Sequence, residues 1–396
     1  MLSGYDIVCL SNTYWQGHMT SKQQIMMRLA KTNRVLYVNK GMSFLSPFSG
    51  LDEISASRQL KDAFLRPRLV APNLFVASPP VLFPLRFLAV PNWLNSAILA
   101  LWLRATIRRL GMKKTILWTF LPETGGVVGR INECLSIYHC VDEHAAFNIW
   151  WRTPESVMLR ETGLIKKVDL VITTARNLQR RKEVFNSNCF FVPNAVNFEL
   201  FKKATLPETL VPLEFVRMKR PVVGYVGMFY PDLIDIELVE HIAKKLDYSF
   251  VFIGRKLGNF DLERLERLGN IHFLGFKEPD ELPSYLKAID VCIMPSRQSN
   301  LMEAVFPLKL FEYLAAGKPV VAIRTAELEP YSRVISLVDT ADEFLESIKA
   351  CLQNNSDAKI KGRVDAARAN TWEARIETLS ELILKHLEDR SQGPKC

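Results

Sequence analysis

Apolar and polar positions follow two alternating patterns in the first half of the chain. Short apolar runs rich in β-branched residues predict buried strands, and segments with a period of 3.6, such as Lys22–Lys31 and Ala175–Val184, predict helices between them. The predicted strands are Tyr5–Leu10, Arg34–Val38, Leu74–Ala77, Thr115–Phe120, Leu135–Val141, Val168–Thr173 and Cys189–Val192. Strand, helix and strand in succession indicate βαβ units and a parallel, doubly wound sheet.

A second series begins after a polar segment, 203–219, that contains two prolines and is typical of a linker. Its predicted strands are Val222–Val226, Ser249–Ile253, Ile271–Leu274, Asp290–Met294 and Val320–Ile323, followed by a last strand over 334–338. Predicted helices cover Ile236–Lys245, Pro279–Ala288 and 340–353, and the chain closes with an amphipathic helix. The pattern therefore predicts two parallel-sheet α/β domains, and ligands of such sheets bind beyond the carboxyl ends of the strands.

Charge narrows the range of partners. The 396 residues carry 51 Lys and Arg against 42 Asp and Glu, a formal net charge of +9. This balance favours an anionic partner, such as a nucleotide or an acidic membrane face. No nucleic-acid-binding motif is present, so nucleic acid is not an expected partner. The seven cysteines are scattered without a C-x-x-C pair and are expected to be free thiols in a reducing compartment.

The segment 92–114 combines an apolar helical face with a basic end. Trp93, Leu101 and Trp102 share that face, and Arg104, Arg108, Arg109, Lys113 and Lys114 follow it. This arrangement is typical of a helix at a membrane interface. The alternative is a core helix whose basic end complements its own dipole. Neither a secretory signal nor a membrane span is predicted from the sequence, so we expect a cytoplasmic protein, with the inner face of the membrane as a candidate location.

The most informative stretch is Asn300–Arg324. It contains Pro307 near the start of a predicted helix and Gly317 just past its end, the usual asymmetry of helix termini. Lys309 and Glu312 are three residues apart and so share a helix face. A cation near a helix start suits a phosphate, and a carboxylate can accept bonds from two adjacent hydroxyls. The spacing alone favours the alternative, a solvated ion pair between Lys309 and Glu312.

The string PLKLFEYLAAGKPVV, from Pro307 to Val321, resembles the nucleotide-sugar signature of GT-B glycosyltransferases of the GT4-like group. In that group the second glutamate of a pair binds the donor ribose, and Glu312 matches it. The first glutamate would stand at Ala304, whereas Glu303 lies one residue out of register. The resemblance therefore implies a variant in which Lys309 binds the pyrophosphate and Pro307 lies at the anion-binding corner.

Two glycine-containing strand ends complete the predicted donor side. Gly227 follows the strand Val222–Val226, and Arg255 follows Ser249–Ile253 beyond Gly254. Related GT4 members place an arginine and a lysine after the first of these strands, and this chain has neither there. The resemblance thus assigns that part to Arg255 and Lys309, with Gly227 beside them. A solvated loop cation is the alternative for Arg255.

Candidate proton chemistry lies in the first half. Asp142 and Glu143 follow the strand Leu135–Val141, where a helix cap is the structural alternative for Asp142. The segment YHCVDE resembles one in GumK-like enzymes, which implies that Asp142 is the general base, with Glu143 as its alternative. A metal site would need His139, Asp142 and His144, and it is not expected, because His139 and Asp142 point to opposite faces if the strand continues.

The loop Ser11–Ser21 lies at another predicted carboxyl strand end. Trp15 and Gly17 are placed on the acceptor side. His18 is a candidate base, and a surface histidine is the alternative that we favour there.

The resemblance as a whole implies a GT-B fold with two Rossmann-like domains and a cleft between them. The expected divisions are 1–202 for the acceptor, 203–370 for the donor, and 371–396 for a helix that returns to the first domain. The expected activity is a metal-independent hexosyltransferase without a cofactor, acting on a carbohydrate or lipid-linked acceptor in polysaccharide or glycolipid synthesis. A nucleotide-sugar epimerase and a non-catalytic glycan-binding or partner-binding protein are the alternatives.

Overall fold

A computed structural model describes residues 1–16, 19–42, 61–62, 65–84, 88–146, 153–231, 233–256, 260–299 and 306–392. The chain forms two compact units. The first comprises Met1–Pro193 and Arg375–Cys396, and the second comprises Asn194–Ala374. The predicted positions Gly17, His18, Glu303 and Ala304 lie outside the described residues.

The first unit is built on an eight-stranded sheet. Its strands are β1 Asp6–Leu10, β2 Arg34–Val38, β3 Arg68–Ala71, β4 Leu74–Ala77, β5 Thr115–Thr119, β6 Leu135–Cys140, β7 Leu170–Thr173 and β8 Cys189–Phe191. They lie in the order β3-β4-β2-β1-β5-β6-β7-β8. Every pairing is parallel except that of β3 with β4. All five residues of β1 are buried, as expected for a central parallel strand covered on both faces.

Helices cover this sheet. They are α1 Ser21–Leu29, α2 Ala89–Arg109, α3 Pro154–Ile165 and α4 Arg176–Lys182. Thr20 begins α1 through a capping box with Gln23, and the Thr153 side chain accepts from the Ser156 amide at the start of α3. The two helices begin where these polar caps satisfy amides that have no partner in the first turn.

The second unit contains a six-stranded parallel sheet. Its strands are β9 Val222–Val226, β10 Ser249–Ile253, β11 Ile271–Phe273, β12 Val291–Met294, β13 Val320–Ile323 and β14 Ser336–Val338. The order β11-β10-β9-β12-β13-β14 is that of a Rossmann sheet, which reverses between β9 and β12. Ligands of such sheets bind at this reversal, beyond the carboxyl ends of the strands.

The helices that follow are α5 Phe198–Phe201, α6 Ile236–Lys245, α7 Leu262–Glu266, α8 Leu282–Ala288, α9 Lys309–Ala315, α10 Ala341–Gln353, α11 Asp357–Arg368 and α12 Trp372–Gln392. Gly317 has φ of +70°, which ends α9 in the left-handed conformation that glycine adopts most readily. The last helix, α12, begins in the second unit and belongs to the first from Arg375 onward.

The boundary between the units falls at Pro193 and Asn194, before the predicted division at 202 and 203. The reason is hydrophobic packing, since Phe198 and Phe201 belong to the same buried cluster as Leu310 of α9. Burying two aromatic side chains stabilises a structure by several kcal/mol, on the order of 1.5–3 kcal/mol each. The residues around Phe198 and Phe201 therefore pack with the second unit.

Both sheets agree with the two parallel α/β domains predicted from the sequence. Among the strands and helices described above, five were not predicted, namely β3, α3, α5, α7 and α11. The edge strand β3, the helix α3 and the helix α11 lie in segments whose apolar periodicity is weak, and only their neighbours show which face is covered.

Candidate functional site

Lys309 and Tyr225 form the centre of a polar cluster in the second unit. The Lys309 ammonium donates a 2.6 Å hydrogen bond to the Tyr225 hydroxyl, and the same ammonium lies 4.4 Å from the centre of the Tyr225 ring. The Tyr225 hydroxyl in turn donates to the Met228 carbonyl at 3.2 Å. Because Tyr225 stands in β9 and Lys309 begins α9, the cluster fixes a cation beside the carboxyl end of β9.

Gly227 leaves room for this cation. A Cβ atom at Gly227 would lie 2.8 Å from the Lys309 nitrogen and 2.9 Å from the Tyr225 oxygen. Both separations are shorter than a carbon atom tolerates without movement of its neighbour. The predicted pair Gly227 and Lys309 is therefore brought together, and Tyr225 is a third member that the sequence analysis did not identify.

Glu312 is not the ion-pair partner of Lys309 that spacing alone favoured. Among the described residues, neither side chain has a carboxylate–ammonium contact, and no donor reaches the Glu312 carboxylate. Burial raises the pKa of Glu312 to about 7, and the charge of Lys309 opposes that rise. A half-buried carboxylate without a protein donor can accept hydrogen bonds from a ligand that brings its own hydroxyl groups.

Arg255 lies at the neighbouring strand end. The Gly227 amide donates to the Ile253 carbonyl at 2.8 Å, and a Cβ at Gly254 would meet the Gly227 oxygen at 1.8 Å. Gly254 thus lets the ends of β9 and β10 approach each other. The exposed Arg255 guanidinium stacks 4.1 Å from the centre of the Phe276 ring. Stacking restrains the side chain and leaves its edge donors accessible.

Pro307 is buried directly before this cluster, and its carbonyl accepts from the Leu310 amide at 3.3 Å. The helix itself begins at Lys309, two residues later than Pro307. The predicted anion-binding corner thus has Lys309 at its first helical position.

Asp142 follows β6 in the first unit and faces a buried lysine. Lys22, in the first turn of α1, is 5% exposed, and its ammonium lies 5.6 Å from the centre of the Phe120 ring. Burial raises the pKa of Asp142, and the charge of Lys22 lowers it. For Lys22 the pKa is lowered by burial and raised by Asp142 and then Cys9. Each group thus favours the charged form of the other.

His139 lies beside these groups in β6. Its ring stacks on Phe120 with centroids 4.9 Å apart and is tilted against Trp118 at 5.9 Å. Three buried nitrogen atoms have no hydrogen-bond partner within the described residues. They are the two ring nitrogens of His139 and the indole nitrogen of Trp118. Burial, assisted by Lys22, lowers the pKa of His139 to about 3, so the ring is neutral at physiological pH.

Glu143 occupies a different environment from its neighbour. The Lys182 ammonium reaches Glu143 at 3.3 Å and Glu161 at 2.7 Å, and Arg181 reaches Glu143 at 3.3 Å. Tyr138 donates to the other oxygen of Glu161 at 2.7 Å. Both oxygens of Glu143 are thus engaged by cations, Oε1 by Lys182 and Oε2 by Arg181. Of the two predicted candidates, Asp142 is therefore the one whose environment suits a base.

Of the predicted residues in the loop after β1, the structure describes Trp15, whereas Gly17 and His18 lie outside the described residues. The Trp15 amide donates to the Asn39 side chain at 2.9 Å, and its ring contacts Tyr37 edge to face at 5.0 Å. Trp15 lines a pocket that also includes Arg66, Arg68 and Ser78. An aromatic ring with polar neighbours is typical of a surface that binds sugars or other polar ligands.

The helix α2 turns two different faces to its surroundings. Leu99 and Leu103 pack in a buried cluster, and Asn92 donates to the Glu123 carbonyl at 2.8 Å. The opposite face exposes 59% of Trp93 and 64% of Leu101, and it continues into exposed Arg104, Arg108 and Arg109. Among the described helices, none combines the length and the apolar character needed to cross a bilayer. The described part of the chain also contains no group of three or more His, Cys, Asp or Glu side chains that could hold a metal ion.

Comparison with known proteins identifies a protein family that the second unit resembles. Residues 220–354 match the sequence model of the family described as Glycosyl transferases group 1. This stretch contains all five residues predicted for the donor side. The second unit therefore contains a stretch similar to group 1 glycosyltransferases, which confirms the resemblance to GT4-like enzymes.

Individual relatives extend the comparison to the rest of the chain. TuaH of Bacillus subtilis strain 168, named as a teichuronic acid biosynthesis glycosyltransferase, is 32% identical over 257 residues. The match covers 62% of this chain and 60% of TuaH, so the chain spans less than two thirds of that relative.

Solved structures support the fold over nearly the whole length. Anabaena HepE, solved with UDP, has a TM-score of 0.66 at 14% identity, covering 96% of this chain and 99% of HepE. Sucrose-phosphate synthase of Thermosynechococcus elongatus has a TM-score of 0.65 at 17% identity, with the same coverage of each chain. At these identities the likeness shows the fold, and the predicted GT-B architecture is confirmed. The GumK-like character of the segment around Asp142 stays a prediction.

Proposed function

We propose that this protein is a glycosyltransferase that moves a sugar from a nucleotide-sugar donor to an acceptor hydroxyl in cell-surface polysaccharide or glycolipid synthesis. The proposal rests on one observation above all. In a stretch similar to group 1 glycosyltransferases, Lys309 is fixed by Tyr225 beside the open backbone of Gly227, while the Glu312 carboxylate has no protein donor among the described residues. A cation and a free carboxylate one helical turn apart suit the phosphates and the ribose of one nucleotide.

In the proposed reaction the acceptor oxygen bonds to the anomeric carbon, and the bond from that carbon to the diphosphate oxygen breaks. The acceptor hydroxyl proton passes to Asp142, which Lys22 helps to keep ionised. The leaving nucleoside diphosphate gains charge, and Lys309 and Arg255 stabilise it. Protein cations thereby perform the role that a divalent metal performs in other transferases, so we propose that no metal or cofactor is required.

The names of two similar proteins support the finer assignments. HepE was solved with UDP, and TuaH is named for teichuronic acid biosynthesis. We propose by analogy a nucleotide-activated hexose as the donor and a carbohydrate or lipid-linked acceptor. Trp15 would contact that acceptor. The division of labour, with donor binding in the second unit and acceptor binding in the first, is part of the same proposal.

Nucleotide binding to defined variants tests this proposal. Lys309→Met should weaken the affinity for the best nucleoside diphosphate at least tenfold and leave the affinity for the corresponding nucleoside unchanged, because only the phosphates meet the ammonium. Glu312→Ala should weaken both ligands. The matched control is Lys349→Met, which removes an exposed lysine of α10. Thermal stabilisation and calorimetric titration measure these affinities.

Equal nucleoside diphosphate affinity in all four proteins would contradict the proposed donor site. Incubation of the wild-type protein with donor alone addresses the epimerase alternative, which predicts sugar interconversion without any acceptor. Asp142→Asn should bind donor normally and lose transfer. Full transfer by this variant would exclude Asp142 as the base.

A further inference from the structure

A cavity lies in the second unit, at the edge of the six-stranded sheet opposite to the cluster of Lys309 and Tyr225. It encloses about 420 Å³ and is lined in part by Val320 and Ser336, which begin β13 and β14. Gly227 and Gly254 follow the carboxyl ends of β9 and β10, whereas this cavity adjoins amino ends of parallel strands. The cavity is therefore separate from the donor cluster, and its volume is within the range of small-molecule sites.

Arg363 is the buried cation of this cavity. Its side chain lies on α11 and the residue is 5% exposed. Its Nε donates to the Gly317 carbonyl at 3.0 Å, and one terminal nitrogen donates to the Asn355 side chain. Both acceptors are neutral, and among the described residues no carboxylate pairs with Arg363. Burial lowers the pKa of the guanidinium accordingly.

A buried guanidinium without an anionic partner is costly, because desolvation of the charge is offset only by neutral dipoles. The other terminal nitrogen of Arg363 has no hydrogen-bond acceptor in the described part of the chain. An anion in the cavity would supply the missing charge and an acceptor for this nitrogen.

Two further cations line the same cavity. Lys359 precedes Arg363 by four residues on α11, so both side chains share a helix face, and Arg333 approaches from the segment before β14. Arg333 and Lys359 are exposed and have no ion pair within the described residues. Where the structure describes it, the lining contains no aspartate or glutamate, and Ser336 and Asn354 add neutral hydrogen-bonding groups.

We propose that this cavity is a second ligand site, distinct from the donor site, which binds a small molecule through a phosphate group held by Arg333, Lys359 and Arg363. Phosphate chemistry is favoured because three cations from two segments surround one concave space, and a phosphate offers acceptor oxygens in several directions. The site does not depend on the proposed transferase activity.

Binding of pyrophosphate to the full chain tests the site. The test variant is the double substitution Arg333→Ala with Lys359→Ala, which removes exposed side chains and should leave the unliganded melting temperature unchanged. The control is Lys361→Ala with Arg368→Ala, which removes two cations that pair with Asp365 on the same helix. A third variant, Lys309→Met, disables the donor cluster.

With each double substitution placed in the Lys309→Met background, which removes phosphate binding at the donor cluster, pyrophosphate is expected to stabilise the control as it does Lys309→Met itself, and the test variant should bind it at least tenfold more weakly. Loss of stabilisation in Lys309→Met alone would place the ligand in the donor cluster and overturn the proposal. Equal stabilisation of all four proteins, or none in the wild type, would also overturn it. Preferential stabilisation by glucuronate over pyrophosphate would refute the assignment to phosphate.

Discussion

At the scale of single residues, the environment of Glu312 carries the clearest consequence for pH. Its pKa of about 7 in the folded protein exceeds the usual value for a glutamate, because the carboxyl is buried. The folded state therefore binds more protons than the unfolded state between about pH 4.5 and 7. Over this interval the contribution of Glu312 to stability falls as the pH rises, and above pH 7 the full cost of the buried charge is present.

We therefore expect Glu312→Gln to raise the free energy of unfolding at pH 8 by roughly 1–3 kcal/mol, and to change it little at pH 4.5. Glutamine resembles the protonated carboxyl and carries no charge to desolvate. Urea unfolding at both pH values measures the difference. Glu346→Gln, at an exposed position of α10, is the control. An equal effect at the two pH values would show that burial does not raise the pKa of Glu312.

The pair of Lys22 and Asp142 gives a prediction for catalysis that rests on the proposed function. Lys22 lowers the pKa of Asp142, and a general base must be ionised to act. Lys22→Met should therefore move the acidic limb of the rate profile to higher pH. Cys9 and His139 also face Lys22, but the raised thiol pKa and the imidazole pKa of about 3 keep both groups neutral across the assay range.

The pH dependence of kcat/KM distinguishes this role from a structural one. The control is Lys31→Met, at an exposed position just after α1. A loss of activity that is equal at every pH would mean that Lys22 supports the fold and does not set the ionisation of Asp142.

At the scale of elements, the approach of β9 to β10 depends on Gly254. A methyl group there would lie 1.8 Å from the Gly227 carbonyl oxygen. Because that oxygen belongs to the backbone, the end of β9 would have to shift to relieve the clash. We expect Gly254→Ala to destabilise the protein by about 3 kcal/mol or more. Gly269→Ala is the matched control, because Gly269 also has a positive φ, of +71°, but has open space around its Cβ position. It should cost only about 1–2 kcal/mol.

Thermal or urea unfolding of the two variants separates steric contact from backbone conformation. Similar destabilisation in both would show that only the positive φ matters at Gly254 and that the strand ends do not need to approach each other.

At the scale of the whole molecule, the outward face of α2 raises the question of membrane contact. We propose that Trp93 and Leu101 enter the interface of an anionic bilayer while Arg104, Arg108 and Arg109 bind its phosphates. The buried Asn92 and Asn95 face the protein and are not available to lipid. Exposed apolar side chains beside a basic cluster are typical of a surface that contacts a partner or a membrane.

Trp93→Ala with Leu101→Ala should abolish cosedimentation with vesicles that contain phosphatidylglycerol, and it should not change nucleotide affinity in solution. Met158→Ala with Leu159→Ala, at two exposed apolar positions of α3, is the control. Binding to vesicles that survives the first double substitution would exclude this face as the membrane contact.

The periodicity of the sequence was sufficient to predict both parallel sheets. Apolar β-branched runs such as Val222–Val226 and Val320–Ile323 agree with the observed strands, because strands buried on both faces contain no alternating polar positions. The short motif from Pro307 to Gly317 also predicted a nucleotide site at Lys309 and Glu312, which stays a prediction. These features are local, since they depend on neighbours within about one helical turn.

Tertiary packing determined the remaining features. Tyr225 could not be identified as the partner of Lys309 because 84 residues separate them and only the fold brings β9 to α9. The contrast between Asp142 and Glu143 likewise depends on Lys22 and Lys182, which come from two different helices. Residue type sets which charges are available, but ionisation and pairing depend on burial and on distant neighbours. Those quantities exist only once the chain has folded.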